Sequence, residues 1–202
     1  MKIALIGASG QAGSRILAEL VARGHDVTAI VRNPEKVAAG PHVTAVKGDV
    51  HEPDSLAKLL AGHDAVISSV HFSATDPDML LAAVRASGVK RYLVVGGAAS
   101  LEIAPGQKLL NSPNFPEAYR VEATAGSAYL DLLRSATDLD WTFLSPSAFF
   151  VAGERTGKFR LGTDQLLSTD TGSSISFEDY AIAMADEIEE PKHIKARFTV
   201  GY

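Results

Sequence analysis

Apolar residues fall along this chain in two alternating kinds of run. Lys2-Ile3-Ala4-Leu5-Ile6, Asp26-Val27-Thr28-Ala29-Ile30-Val31, His42-Val43-Thr44-Ala45-Val46-Lys47, Ala65-Val66-Ile67-Ser68-Ser69-Val70 and Arg91-Tyr92-Leu93-Val94-Val95 are short and nearly continuous in apolar side chains. Strands read this way when both faces of their sheet are covered. Between them stand segments of helical spacing. Residues 14–21 carry apolar side chains at 16, 17, 20 and 21; 54–61 starts on Asp54 and stops at Gly62; Met79 to Ser87 is closed by Gly88. Beyond them, Pro116 to Ala136 predicts a longer helix, Trp141-Thr142-Phe143-Leu144 a strand, Phe177 to Glu189 a last helix and Arg197-Phe198-Thr199-Val200 a closing strand. This alternation predicts an α/β chain with a doubly wound, mostly parallel sheet. With 202 residues and no linker or repeat, it forms one domain with a small C-terminal segment on the substrate side.

The junction of the first strand and first helix carries the sharpest signal, Gly7-Ala8-Ser9-Gly10-Gln11-Ala12-Gly13. Glycines at this spacing allow a tight bend, the approach of a pyrophosphate without a Cβ in its way, and close packing of helix on strand. Backbone amides from Ser9 through Gly13 then face the anion at the positive end of the helix dipole. The spacing is GxxGxxG rather than the commoner GxGxxG, so the strand before it and the helix after it are what give the motif its weight. No lysine-serine pair follows Gly13, which argues against the phosphate loop of ATPases and GTPases.

In this fold the carboxyl ends of the strands line the ligand crevice. At the end of the second strand an NAD enzyme offers an acidic residue to the ribose; this chain has Arg32 and Asn33. A guanidinium there can fork onto a 2′-phosphate, so NADP is favoured and NAD is the alternative. Asp49 and Val50 end the third strand, where the carboxylate either accepts from an adenine amino group or forms a turn. Ser68, Ser69 and Val70 end the fourth and are small enough for ribose and diphosphate to lie close. His71 follows, either touching the nicotinamide ribose or a substrate, or exposed in its loop. Gly97 opens a segment reaching to Pro116 that is read as a lid. Pro146 stops the sixth strand, and with Ser147, Phe149 and Phe150 it makes a candidate wall for the nicotinamide end and the acceptor, the phenylalanines having packing as their other reading.

Composition narrows the chemistry. The net charge of −5 gives no case for nucleic acid, which needs clustered Lys and Arg. The absence of cysteine removes disulfides, thiolate nucleophiles and thiolate metal sites. Six histidines never form an i, i+4 pair beside an acidic ligand, so no metal site is expected. Ser145-Pro146-Ser147 is no nucleophile elbow, and the acidic run Asp186 to Glu190 reads as a solvated face or as a surface for a partner chain. No apolar run approaches a membrane span and the N-terminus does not resemble a signal peptide, so the expectation is a cytoplasmic monomer or homodimer.

Together the GxxGxxG, Arg32, Gly48-Asp49-Val50 and Trp141-Thr142-Phe143-Leu144-Ser145-Pro146 resemble the atypical short-chain dehydrogenase/reductases, which have an NAD(P)-binding Rossmann fold. More narrowly, Val95-Gly96-Gly97-Ala98, the run Gly153 to Gly162, Ile175 to Ala181 and the terminal Arg197 to Tyr202 resemble bacterial proteins provisionally assigned as NAD(P)H-flavin reductases. The wider family's catalytic arrangement is a serine after the fifth strand and a Tyr-x-x-x-Lys on the next helix. Here Ser100 comes late, and Ala123 stands four residues after Tyr119 where the lysine belongs. Tyr119 and Ser100 are thus the catalytic candidates, with Tyr119 a core or rim aromatic in the other reading. Carbonyl reduction, epimerisation and dehydration are disfavoured. The resemblance implies hydride transfer from NADPH to a flavin, quinone or similar small conjugated acceptor, the flavin being a substrate and not a bound group. The alternative is a redox sensor that binds NADP(H) and regulates a protein partner.

Overall fold

The computed structural model describes residues 1–202. In chain order the elements are β1 (Lys2–Ile6), α1 (Gln11–Ala22), β2 (Asp26–Val31), β3 (Val43–Lys47), α2 (Pro53–Leu60), β4 (Ala65–Ser68), α3 (Pro77–Ser87), β5 (Arg91–Val95), β6 (Glu102–Ala104), β7 (Gln107–Lys108), α4 (Arg120–Ser135), β8 (Asp140–Pro146), β9 (Phe149–Val151), β10 (Arg160–Gly162), β11 (Ser174–Ser176), α5 (Phe177–Glu189) and β12 (Ala196–Gly201). Eight strands form one sheet in the order β10-β12-β8-β5-β4-β1-β2-β3, parallel throughout except for β10. The order reverses at β1, the first strand laid down, with β2 on one side and β4 on the other. This is the doubly wound Rossmann arrangement, and its reversal point is where such sheets open a ligand crevice.

Alternation along each strand divides the core in two. Ile3 and Leu5 pack with Ile16, Leu20, Tyr180 and Met184 under α1 and α5, whereas Ala4 and Ile6 pack with Leu56, Leu80, Tyr92 and Leu130 under α2, α3 and α4. Residues i and i+2 share a face, so an almost unbroken apolar strand feeds both layers.

Several boundaries differ from the sequence expectation for local reasons. The expected helix from Pro116 begins instead with a single 3₁₀ turn over Glu117–Tyr119, and α4 proper starts at Arg120, because Tyr119 sits at φ −101° and ψ −4°. The sixth expected strand runs longer, Asp140–Pro146, since it is clamped between β5 and β12. The segment from Gly97 to Pro116 is no open lid. It contains the hairpin β6–β7, turned at Gly106 with φ +72° and pinned where the Glu102 N–H donates to the Asp164 carbonyl at 2.8 Å. Pro105-Gly106 was the available turn signal. The three-residue strands β9, β10 and β11 are too short to show a period.

Candidate functional site

At the end of β1 the chain bends through Gly7, which has φ +82° and donates its N–H to the Ile30 carbonyl at 2.9 Å. A Cβ on Gly7 would lie 2.0 Å from the Ser69 carbonyl oxygen, and one on Gly13 would lie 2.2 Å from the Gly7 oxygen. Neither position accepts any other residue without moving backbone. Gly10 differs. It is extended, it forms the N-cap of α1 without a side-chain cap, and a Cβ there would meet only the Gly7 oxygen at 3.3 Å. Its small size keeps the mouth of the bend clear. The amides of Gln11, Ala12 and Gly13 find no acceptor in the protein, and the first turn of α1 holds no acidic residue. Ser9, Gly10 and Gln11 are exposed, while Ala12, in the first turn of α1, is buried in the core. Orphan amides at a helix N-terminus with no competing carboxylate fit a diphosphate.

The neighbouring strand ends sort the remaining candidates. Arg32 is exposed with no ion pair, and Asn33 beside it is exposed before Pro34, so both stand free at the end of β2. Asp49 accepts from the His51 N–H at 3.0 Å and so forms the turn, the second of its two readings. Val50 packs against the core under α2. Ser69 and Val70 flank Gly7 through the Ser69 carbonyl and a Val70 methyl. Ser68 points the other way. Its Oγ is 2.8 Å from the Tyr92 hydroxyl, which is in turn 2.7 Å from that of Tyr129, a buried chain beneath α4. Burial pushes Tyr92 up to about 12 and raises Tyr129 as well, so neither gives up its proton. Gly96 is wedged against Phe143, whereas Gly97 has open space where a side chain would stand.

The proposed catalytic pair does not assemble. Ser100 is buried, and its Oγ accepts from Arg197 at 3.2 Å, tying it to the Arg197–Asp164 ion pair. Tyr119 is 66% exposed and its hydroxyl makes no hydrogen bond, so it is a rim aromatic and not a polarised phenol. Glu122, one turn on, reaches instead to the segment after β4 and accepts from the N–H groups of Phe72 at 2.7 Å and Ser73 at 2.9 Å. Burial pushes Glu122 up, yet the hydrogen bonds from Ser73 and Phe72 outweigh it and hold the carboxyl below its usual range. His71 is 85% exposed, its Nδ1 3.6 Å from Glu122 Oε1.

The wall after β8 also divides. Pro146 is its last residue, as expected, and is buried. Ser147 is fully buried with Oγ donating to the Val200 carbonyl at 3.3 Å, so its hydroxyl holds β12 and is unavailable to a ligand. Phe150 packs on Phe177 and Tyr180 at ring distances of 4.5 and 4.6 Å. Phe149 points to the other face of β9 and is 67% exposed.

Sequence reasoning marked the run from Gly153 to Gly162 by its resemblance alone and gave it no role; in the structure it is a strap. Buried Asp179 accepts from the Gly157 N–H at 2.8 Å and from the Thr156 and Tyr202 hydroxyls; Glu178 accepts from the Gly153 N–H and from Arg15; Arg155 forks onto Glu19. Ser176, capping α5 three residues before Asp179, was the legible half of this arrangement. A hollow of about 220 Å³ walled by Asp186, Glu187, His193 and Phe198 lies at the C-terminal end of α5, away from the glycine bend. There Glu187 is consumed by Arg91 and by the Lys192 and His193 N–H groups.

A family model described as NAD(P)H-binding matches residues 7–191. The chain is 41% identical to the uncharacterized protein YwnB of Bacillus subtilis, over 99% of this chain and 98% of that one. It resembles a structure from Bacteroides thetaiotaomicron provisionally named an epimerase, at TM-score 0.95 and 43% identity, covering 100% of this chain and 96% of that one. It also resembles a Streptococcus pneumoniae protein provisionally named an NADH-flavin reductase, at TM-score 0.84 and 40% identity, covering 100% and 99%.

Proposed function

This chain belongs to the NAD(P)H-binding family, and on that premise we propose that it is an NADPH-dependent reductase of flavins, quinones or similar flat conjugated acceptors. The observation that carries the reading is the cradle at Gly7–Gly13, with three unclaimed amides, together with the unpaired Arg32 at the next strand end. The amides and the helix dipole hold the diphosphate, and the guanidinium recognises the 2′-phosphate. When bound, the reduced nicotinamide supplies a hydride. The acceptor class follows from what the site lacks. With Ala123 in place of a lysine and Ser100 held by Arg197, no dyad polarises a carbonyl. A conjugated ring asks mainly to be stacked, and Phe149 offers an unpartnered aromatic face after β8.

The absent dyad equally favours a second reading, an NADP(H)-binding redox sensor that regulates a protein partner. Turnover separates the two. Purified protein is expected to consume NADPH with FMN, FAD or a benzoquinone well above the rate of the uncatalysed mixture, and NADH more slowly. Tight binding of NADPH with no consumption across the panel assigns the sensor.

A further inference from the structure

Reduction of a conjugated acceptor needs a proton as well as a hydride, and the protic side chains around the crevice are mostly committed. Ser68, Tyr92 and Tyr129 form a closed, buried chain; Ser100 is held by Arg197, and Ser147 by the Val200 carbonyl. Tyr119 is exposed with nothing to polarise it. One group remains. His71 follows Val70, whose methyl flanks the Gly7 bend, and it extends to 85% exposure at the mouth of the crevice.

What holds His71 there is built. Glu122, in the first turn of α4 where the helix dipole favours an anion, gathers the N–H groups of Phe72 and Ser73 and stands 3.6 Å from Nδ1 of His71. Phe72 locks the same segment from below. Its ring lies 5.4 Å from Tyr129 and 6.0 Å from Phe143, and a Cβ on Gly126 would come within 2.9 Å of it. The loop after β4 is therefore riveted to α4 on two sides. Nδ1 faces the carboxylate and Nε2 is left outward.

We infer that His71 delivers the proton of the reduction, with Glu122 as its positioning residue, an inference that rests on the reductase reading. The acceptor gains a hydride with both its electrons from C4 of the reduced nicotinamide, and a proton from Nε2 of His71. A neutral imidazole is left, which regains its proton by taking up one H⁺ from solvent, and loss of the hydride would leave the nicotinamide oxidised. Glu122, pushed up by burial yet held below its usual range by the hydrogen bonds from Ser73 and Phe72, turns its carboxylate toward Nδ1 of His71. The other charged groups nearby are occupied: Asp76 caps α3 by accepting from the Asp78 and Met79 N–H groups, and Glu117 is paired with Arg120.

The test compares the parent with His71→Asn, whose exposure leaves folding unthreatened, and with Glu122→Gln. NADPH oxidation with FMN and with a benzoquinone is followed between about pH 5 and pH 9, where imidazoles titrate. The parent kcat should fall as pH rises, because the donor is the protonated ring. His71→Asn should lower the acidic plateau by about 10²-fold and flatten the profile. Glu122→Gln, which removes the group facing Nδ1 and loosens the segment that carries His71, should lower kcat while leaving the KM for NADPH unchanged. A readout independent of turnover is the His71 Cε1–H resonance, identified by its loss in His71→Asn, which should move on addition of NADP⁺. A parent that turns over while His71→Asn keeps its rate and profile, or a resonance that ignores NADP⁺, overturns the proton role alone. A parent that binds NADPH yet reduces no acceptor overturns the role and the reductase together.

Discussion

A single guanidinium is asked to choose between two cofactors that differ by one phosphate, and Arg32 is suited to it because nothing in the protein competes for it. Arg32→Glu should weaken NADPH by about 10- to 100-fold, the range of a charge-assisted hydrogen bond, and NADH far less. Calorimetry with both cofactors decides it, and an equal loss shows that the arginine does not read the phosphate. Gly13→Ala tests the cradle itself. The new methyl, 2.2 Å from the Gly7 oxygen, must push α1 off β1, so binding should be lost along with about 1–3 kcal/mol of stability by urea unfolding. These residues were legible in the sequence because their roles are written in the backbone: a positive φ, a missing Cβ, a charge at a strand end. Hydroxyls were not. Ser68, Ser100 and Ser147 sit where a ligand contact was expected, yet each is claimed by Tyr92, Arg197 or Val200 from 24 to 97 residues away. No local pattern encodes such a choice of partner. Phe149 and Phe150 were separable only in principle, since adjacent strand residues face opposite ways and the expected strand stopped before them.

Among the elements, the long helices and parallel strands were readable because burial on one or both faces imposes a period. The strap from Gly153 to Gly162 has no such period and owes its shape to α5. Asp179 is completely buried and makes no ion pair, and its carboxyl group accepts from the Gly157 N–H and the Thr156 and Tyr202 hydroxyls. Asp179→Ala leaves those donors without an acceptor and should cost about 3 kcal/mol, measured as a fall in the urea midpoint at constant slope. The strap should then be cleaved first in limited proteolysis, between Gly153 and Gly162. Cleavage that begins instead in the β6–β7 hairpin, with the strap intact, would show that Arg155 and Glu178 hold it without Asp179.

Across the whole molecule, α1 and α5 cover one face of the sheet and meet along a line of charge. Arg23 bridges Glu19, Asp186 and Glu189, Arg155 reaches Glu19 from the strap, and Arg15 meets Glu178. Glu19 is held below its usual range by the Arg155 hydrogen bond first, against the opposing push of burial and with Arg23 adding to the pull. Glu178 and Glu189 are pushed up by burial but lowered further by their partners, Gly153 and Arg15 for the first, Arg23 and His25 for the second. A carboxylate with a folded pKa below its unfolded value stabilises the fold above the unfolded pKa, about 4.3 for Glu, and that contribution is lost as pH falls through the folded value. The carboxylates' contribution to the seam should therefore weaken in acid below about pH 4. Glu19→Gln, discounted because Arg155 is largely exposed, should cost about 1–2 kcal/mol at pH 7. The parent should converge on the variant as Glu19 becomes protonated. Urea unfolding of both proteins at neutral and acid pH measures this. A gap that stays constant with pH would mean that Glu19 joins the two helices through shape and hydrogen bonding, with its charge playing no part.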